Sequence, residues 1–266
     1  MKKQIFCLLS IILILFSCQT VPITGRQQLS LIPSESILSM SYQSYSDYLS
    51  KNKVINDTEE ALMVKKVGQR IQKAVEKYFT EHNMQKQIEG YSWEFNLIDD
   101  KTINAWCMPG GKVAVYKGIL PVAQNEAGLA VVMGHEISHA VAKHGDERMS
   151  QGLITQMGGM LLSEALASKP KETSNLFMTA YGLGSQVGFL LPYSRIHETE
   201  ADRLGLIFMA MAGYDPHEAI EFWKRMSKTK QGGSPPEFLS THPADTTRIK
   251  NIEKLIPEAM TYYRKQ

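Results

Sequence analysis

The strongest constraint on the fold is a histidine–glutamate–histidine motif inside the apolar stretch VVMGHEISHAVAKHG, which begins at Val131. His135 and His139 are four residues apart, so in an α-helix they lie one above the other on the same face. This spacing predicts that both imidazoles bind one metal ion and that Glu136 reaches a metal-bound water. The alternative is a helix with two histidines of no special role. The apolar neighbours predict a helix buried over most of its surface and ending near Gly145.

A catalytic zinc site needs a third protein ligand, because such sites have three protein ligands and one open position. The segment IHETEADRLG supplies Glu198 and, four residues later on the same helical face, Asp202. In one interpretation Glu198 completes the ligand set and Asp202 orients a ligand imidazole. In the other, Glu198, Glu200 and Asp202 form a solvated acidic helix face. The residues alone leave both interpretations open.

Three motifs in order, GHEISHAVAKH, YSRIHETEADRLG and STHPADTTRI, carry a resemblance to a known family. They are similar to the signatures of the gluzincin metallopeptidases that include the membrane protease HtpX and the CAAX prenyl endopeptidases. Small bacterial periplasmic lipoproteins form the branch that this chain resembles most. The likeness extends from about Pro22 to about Arg248. It implies one zinc ion (Zn2+) per chain and a zincin-like fold.

The resemblance also implies a role for each matching residue. Three residues correspond to zinc ligands: His135, His139 and Glu198. Glu136 corresponds to the general base, and Asp202 corresponds to the aspartate that orients a ligand histidine.

Further residues outside the ligand set match the family pattern. His242 corresponds to a histidine that stabilises the oxyanion, and Arg248 corresponds to a basic residue beside it. The segment NAWCMPGG resembles one that precedes a substrate-pairing strand, which here is residues 112–120. Asn104 and Ala105 are therefore expected at the approach of a peptide substrate.

Helical periodicity is more extensive in this chain than strand alternation. Residues 57–79 predict an amphipathic helix with Leu62, Val67, Ile71 and Val75 on its buried face. Strand alternation is found in residues 93–97 and 112–120. We therefore predict an α+β fold, a predominantly helical zincin-like metallopeptidase domain over residues 34–266 with a small β-sheet beside the motif helix.

The N-terminus predicts a secretory leader and a lipid anchor. Residues 1–17 have a basic start and an apolar core that is short for a membrane span. Cys18 follows in a lipobox-like context, so it is the predicted lipidation site, and residues 18–33 are predicted to be a tether. Ordinary secretion with cleavage near Ser17 is the alternative. The lipobox predicts attachment to the inner or outer membrane of a bacterial cell envelope, facing the periplasm.

The composition narrows the function further. A net charge of +2 over 266 residues gives no sign of a nucleic-acid partner. We expect a zinc endopeptidase that hydrolyses misfolded or misassembled cell-envelope proteins. The alternative is a non-catalytic lipoprotein chaperone or binding module that retains a structural zinc.

Residues 150–191 are apolar and rich in glycine and methionine. Core helices are the preferred interpretation of this region. The alternative is a hydrophobic surface that faces a membrane or a substrate, or that acts as a lid.

Overall fold

The motif helix, α4, runs from Glu126 to Val141 in this computed structural model, which describes residues 18–169, 171–185, 191–229, 236–243 and 246–264. The side chain of Asn125 caps α4 by accepting a hydrogen bond from the N–H of Gly128 at 2.9 Å. Every residue from 128 to 141 is buried, as the apolar sequence predicts. The prediction that Gly145 ends the helix is wrong. Lys143 turns the chain with a φ of 56°, and the next helix begins at His144.

The chain divides into two compact units, of which the larger comprises residues 35–142 and 198–266. Its helices include α1 (Ser34–Lys51), α2 (Glu59–Glu81), α3 (Leu120–Ala123), α4, the end of α7 (Leu191–Met211), α8 (Glu218–Lys228), α9 (Glu237–Thr241) and α10 (Thr246–Met260).

A four-stranded sheet lies beside α4 in this larger unit. Its strands are β3 (Val54–Ile55), β4 (Glu94–Ile98), β5 (Ala105–Met108) and β6 (Lys112–Tyr116), in the order β3-β4-β6-β5. β4 and β6 are parallel, and the other two pairings are antiparallel. The edge strand β5 packs against α4. The predicted α+β fold, mostly helical with a small sheet beside the motif helix, is confirmed.

The sheet order corrects the expected substrate-pairing strand. β6 was the candidate, but it has β4 on one side and β5 on the other, so its backbone groups are already paired. Strand β5, which sequence alternation did not reveal, lies at the edge. Its four residues are too few for a period-two pattern to be distinguished from a loop.

Helix α2 supplies much of the core of the larger unit. The Thr58 hydroxyl caps it by accepting a hydrogen bond from the N–H of Ala61 at 3.2 Å. Val67, Ile71 and Val75 are fully buried, as their helical spacing predicts. Leu62 differs from the prediction, because its side chain is 61% exposed.

The smaller unit comprises residues 1–34 and 143–197. The antiparallel strands β1 (Cys18–Thr20) and β2 (Gln27–Leu29) lie in the predicted tether. Helices α5 (His144–Leu166) and α6 (Lys171–Ser185) follow, together with the start of α7. The predicted leader, residues 1–17, lies outside the described residues, and lipidation of Cys18 stays a prediction. Among the described helices, none has the length and apolar character that a membrane span requires.

A buried ionic network joins the N-terminal segment of the smaller unit to α5. Both terminal nitrogens of Arg26 donate to the Glu147 carboxylate, at 2.9 and 2.7 Å, and His197 Nε2 lies 2.8 Å from that carboxylate. These partners hold the pKa of Glu147 below its usual range although burial alone would raise it. His144, which is also fully buried, stacks on His197. Leu31 N donates to Ser150 Oγ at 2.9 Å, a second attachment to α5.

Arg26→Ala is expected to lower the free energy of unfolding of the smaller unit by about 3 kcal/mol, because it leaves the buried Glu147 carboxylate without its main cation. Denaturant titration combined with hydrogen exchange at the amides of β2 and α5 measures this. Lys53→Ala is the matched control, since it removes an ion pair to Asp99 in which the lysine is 78% exposed. The control is expected to cost less than about 1 kcal/mol. Equal effects of the two substitutions would contradict the assignment.

Candidate metal centre

Two glycines allow α4 and α7 to cross closely enough to share a site. A Cβ on Gly205 of α7 would lie 2.9 Å from the backbone nitrogen of His135, and one on Gly134 would lie 3.0 Å from the Gly205 carbonyl oxygen. Any larger residue at position 205 would therefore push the helices apart. Because Glu198 lies seven residues, or about two turns, before Gly205, this contact sets how far its carboxylate reaches toward α4.

Four side chains from different parts of the larger unit bring one potential ligand atom each to a common point. They are His135, His139, Glu198 and His242, and their ligand atoms all lie within 4.8 Å of one another. His135 Nε2 is 3.1 Å from His139 Nε2 and 3.4 Å from Glu198 Oε2. His139 Nε2 is 3.3 Å from Glu198 Oε1. The structure thus brings together the three ligands that the motifs predicted.

These separations fit a zinc ion. With zinc–nitrogen distances of about 2.0–2.1 Å, the ligand atoms of a tetrahedral site lie about 3.3 Å from one another. The nitrogen–nitrogen separation of 3.1 Å is within 0.3 Å of that value, and so are the separations of the two nitrogens from the Glu198 carboxylate, 3.4 Å to Oε2 and 3.3 Å to Oε1. Two imidazoles with nitrogens facing each other across a carboxylate are also the mixed nitrogen–oxygen set that zinc accepts in peptidase sites.

His242 lies closer to the other ligand atoms than its predicted role, stabilisation of an oxyanion, requires. Its Nδ1 lies 3.1 Å from His135 Nε2 and 2.9 Å from Glu198 Oε2, so that atom is placed as a fourth ligand. Its other nitrogen, Nε2, lies 3.4 Å from Glu136 Oε1. Stabilisation of an oxyanion by His242 stays a prediction, because in this arrangement Nδ1 takes the position that a water needs.

Asp202, Arg248 and Trp223 form a network of contacts that supports the His135 ring. Asp202 Oδ1 lies 3.0 Å from His135 Nδ1, which leaves Nε2 facing the other ligands. Two nitrogens of Arg248 donate to the same carboxylate, at 2.6 and 2.9 Å. The guanidinium stacks over Trp223 at 3.6 Å from the ring centroid. The sequence motifs did not identify Trp223, whose apolar, helical surroundings in α8 indicate only a core residue.

Glu136 lies beside the ligand group but is not part of it. It is buried, and its Oε1 has no hydrogen-bond partner among the described residues. Burial raises the pKa of this carboxyl, while the nearby His242 and His135 act in the opposite direction. A buried carboxylate oxygen without a partner is costly, so it indicates a place where a proton-bearing group binds.

The ionisable side chains of the site carry an excess of negative charge, which favours binding of a cation. Two buried carboxylates, Glu136 and Asp202, and the partly buried Glu198 lie near one guanidinium, that of Arg248. Without a metal the imidazoles take up part of the imbalance. Burial and Arg248 lower the pKa of His135, but hydrogen bonds with Asp202 and Glu198 raise it overall, to about 9. A divalent ion would neutralise the net charge of −2 and replace that proton.

The predicted substrate residues lie on the sheet edge that packs against α4. Asn104 precedes β5, and its side-chain oxygen accepts a hydrogen bond from the N–H of Ala105 at 2.9 Å. Both residues are buried. Since Asn104 O accepts from Tyr116 N, strand alternation directs the backbone groups of Cys107 away from β6. Burial raises the pKa of the Cys107 thiol, and the charge of Glu136 adds to this, so β5 passes near the motif glutamate.

Comparisons with known proteins agree with this geometry. The sequence model of Peptidase family M48 matches residues 65–256. The chain is 37% identical over 184 residues to the mitochondrial metalloendopeptidase OMA1 of Saccharomyces cerevisiae, covering 66% of this chain and 50% of that protein. It is 31% identical to OMA1 of Homo sapiens, covering 96% of this chain and 49% of the relative. The β-barrel assembly-enhancing protease of Escherichia coli is 30% identical, covering 59% of this chain and 33% of that protein. The chain thus spans about half the length of the OMA1 proteins.

The expected location in a bacterial cell envelope, facing the periplasm, is wrong on these comparisons. OMA1 proteins of yeasts, a plant and mammals are similar over a larger share of this chain than the bacterial proteases are. The physical reason is that a basic start and a short apolar run indicate membrane targeting in general. They do not specify which membrane receives the chain.

Gly205→Ala is expected to weaken zinc binding by at least about tenfold, because the added methyl group meets the His135 backbone and moves Glu198 away from α4. Competition with a chromogenic chelator measures the affinity. Gly152→Ala in α5 is the control, since a Cβ there meets no atom within 4 Å. Zinc affinity of the control is expected to stay within about twofold of the parent, and a similar loss in both variants would refute the helix-crossing argument.

Arg248→Lys is expected to reduce zinc affinity by about 10- to 100-fold, because lysine cannot donate two parallel hydrogen bonds to Asp202 or stack flat on Trp223. The same chelator competition measures the effect. Arg203→Lys provides the comparison. Arg203 donates a similar bidentate pair of hydrogen bonds, to Glu258, and is not part of the ligand group. Unchanged zinc affinity in Arg248→Lys would show that the guanidinium does not orient the ligand.

Proposed function

Because the chain belongs to peptidase family M48, a family of zinc metallopeptidases, we propose that it is a zinc-dependent endopeptidase that cleaves unfolded or misassembled polypeptides. The observation that carries this proposal is the placement of a buried, unsatisfied Glu136 oxygen beside three convergent zinc ligands. A site that served only to hold a metal would have no use for that carboxylate.

The ligand set consists of His135, His139 and Glu198. Zinc bound by these residues supplies a Lewis acid that polarises a peptide carbonyl and lowers the pKa of a water molecule. Asp202 keeps the proton of His135 on Nδ1, so that Nε2 is free to bind. Arg248 neutralises Asp202 and keeps its carboxylate turned toward that imidazole.

Glu136 is the proposed general base. Its raised pKa brings it closer to the working pH, which suits a group that accepts a proton from the attacking water and returns it to the leaving amine. His242 Nε2 lies on the same side of the site, within 3.4 Å of Glu136 Oε1. Hydrolysis requires His242 Nδ1 to leave the fourth ligand position. The imidazole is then available to donate to the developing oxyanion.

The substrate is proposed to bind as an extended peptide along β5. The backbone N–H and C=O of Cys107 face the open edge of the sheet and are suited to pair with such a peptide. Asn104 and Ala105 lie at the start of this edge, where Asn104 fixes the backbone by its bond to Ala105. Backbone pairing selects an extended conformation rather than a particular sequence, which agrees with unfolded substrates.

The substrate class draws on the names of two relatives. Both bacterial relatives are named for enhancing β-barrel assembly, which suggests misassembled polypeptides as targets here. Attachment to a membrane through a lipid on Cys18 is part of the proposal as a prediction from the sequence.

A second function is favoured by one observation. Four protein ligands close a zinc site, and closed sites are typical of structural zinc. If His242 stays in the fourth position, the chain is a chaperone or binding module that holds zinc without cutting. The buried Glu136 is the feature that this alternative leaves unexplained.

Glu136→Gln is expected to retain stoichiometric zinc and to cut unfolded casein about 10²- to 10⁴-fold more slowly than the parent, because the amide cannot accept the proton. Fluorescent casein and metal analysis measure the two properties. His135→Ala is expected to lose the zinc itself.

The two variants separate the two functions. Cleavage by the parent but not by Glu136→Gln supports the endopeptidase and excludes a contaminating protease. Equal rates in the parent and Glu136→Gln would refute the mechanism. A parent that holds zinc, binds casein and never cuts it would favour the chaperone.

A further inference from the structure

The outer face of α5 is apolar and exposed. Tyr181 of α6 donates a hydrogen bond to the Thr155 carbonyl at 2.7 Å and occupies the space that a Cβ on Gly158 would need, so α6 covers that side of α5. On other sides of the helix, large apolar side chains are exposed: Met149, Leu153, Ile154, Met157, Met160 and Leu161. Leu161 is 71% exposed. The prediction that residues 150–191 are core helices is wrong for these positions.

These side chains form a stripe, since Leu153, Met157, Met160 and Leu161 recur at intervals of three or four residues. A helix normally turns such a stripe toward a core. Phe177 of α6 is also more than half exposed and extends the apolar character of the smaller unit. We call these five residues the outer apolar face. An exposed apolar patch of this kind marks an interaction site.

We propose that the outer apolar face docks on a lipid bilayer surface. The first argument is its continuity with the lipid anchor of the proposed function, on which this inference rests, since Cys18 is the first residue of β1. The strand pair β1–β2 leads into Leu31, whose N–H is bonded to Ser150 of α5. Helix α5, which carries four of the five residues of the outer apolar face, is thus attached to the segment that begins at the predicted lipidation site.

The second argument is energetic. A single lipid chain binds a membrane only reversibly. A second interfacial contact in the same unit makes the attachment stable, because both then bind as one molecule.

The third argument is the chemistry of the face. Its side chains are almost all aliphatic or thioether, with one aromatic ring, whereas protein–protein hot spots are rich in tryptophan, tyrosine and arginine. Lys169 and Lys171 are exposed where α5 leads to α6, as is Arg148 near the start of α5. Between Arg148 and Lys171, Glu164 is the one exposed acid among the side chains that the structure describes. Basic residues around an apolar face suit anionic headgroups.

Hydrogen exchange on the full chain tests the proposal directly. The Glu136→Gln background prevents self-cleavage, and the vesicles contain phosphatidylcholine and phosphatidylglycerol at about 7:3. Once flotation shows that the protein is bound, amides of residues 153–165 are expected to exchange at least about threefold more slowly than without vesicles. Amides around Met40 and Leu62, exposed apolar residues of the larger unit, are expected to be unchanged.

A matched pair of variants tests the side chains. Replacing Met157, Met160 and Leu161 with serine is expected to weaken vesicle binding by about tenfold or more, because three inserted apolar side chains are lost. Replacing Met40 and Leu62 with serine is expected to change binding by less than about twofold. All these side chains are more than half exposed, so neither variant disturbs a core, and circular dichroism checks this.

Three results would overturn the proposal. One is vesicle-bound protein whose α5 amides exchange as fast as in solution. Another is protection of α5 that appears without lipid and grows with protein concentration, which would assign the face to a second copy of the chain. The third is protection by unfolded casein but not by vesicles, which would make the face a substrate surface.

Discussion

The contact between Gly134 of α4 and Gly205 of α7 is the constraint on which the metal centre depends. Without a side chain at either position, the two helix backbones approach to a distance at which a methyl group would clash. This places the carboxylates of α7, seven and three residues before Gly205, opposite the histidines of α4. The candidate zinc ligands on these two helices are therefore positioned by helix packing in a rigid core, and small changes in that packing would move their ligand atoms directly.

Burial of charged side chains is the second physical feature of the metal centre. Two of the candidate ligands, His135 and His139, lie in a helix whose residues from 128 to 141 are all buried, where an unpaired carboxylate is costly. Asp202 and Arg248 neutralise each other, and both contact the His135 ring at Nδ1. A divalent ion completes the balance, so metal binding and the stability of this core are coupled. Within the described part of the metal centre, Glu136 Oε1 is a buried carboxylate oxygen without a hydrogen-bond partner, which is the basis for proposing that it acts as the general base.

The smaller unit combines a buried ionic network with the outer apolar face, most of which lies on α5. Arg26 and Glu147 fasten the N-terminal segment to the first turn of α5, while Leu161 and its neighbours stay exposed further along. A helix that turns apolar side chains outward is stable only if other contacts hold it in place. The ionic network and the packing of α6 provide those contacts.

The sequence by itself determined the buried motif helix and the family, and it named three of the residues that the structure groups as a possible metal site. Spacing within a helix fixes which side chains share a face, and the order of three motifs identifies the family. The resemblance drawn from three motifs is confirmed by the match to family M48. It also determined the mostly helical α+β class, since long periodic segments such as α2 are read reliably from their apolar spacing.

Only the tertiary structure decided that β5 rather than β6 is the open edge, that His242 Nδ1 joins the ligand group and that Trp223 supports Arg248. It also decided that the apolar stripe of α5 faces outward. Strand order, rotamer direction and the uncovered side of a helix depend on residues distant in the chain, and local periodicity carries no information about them.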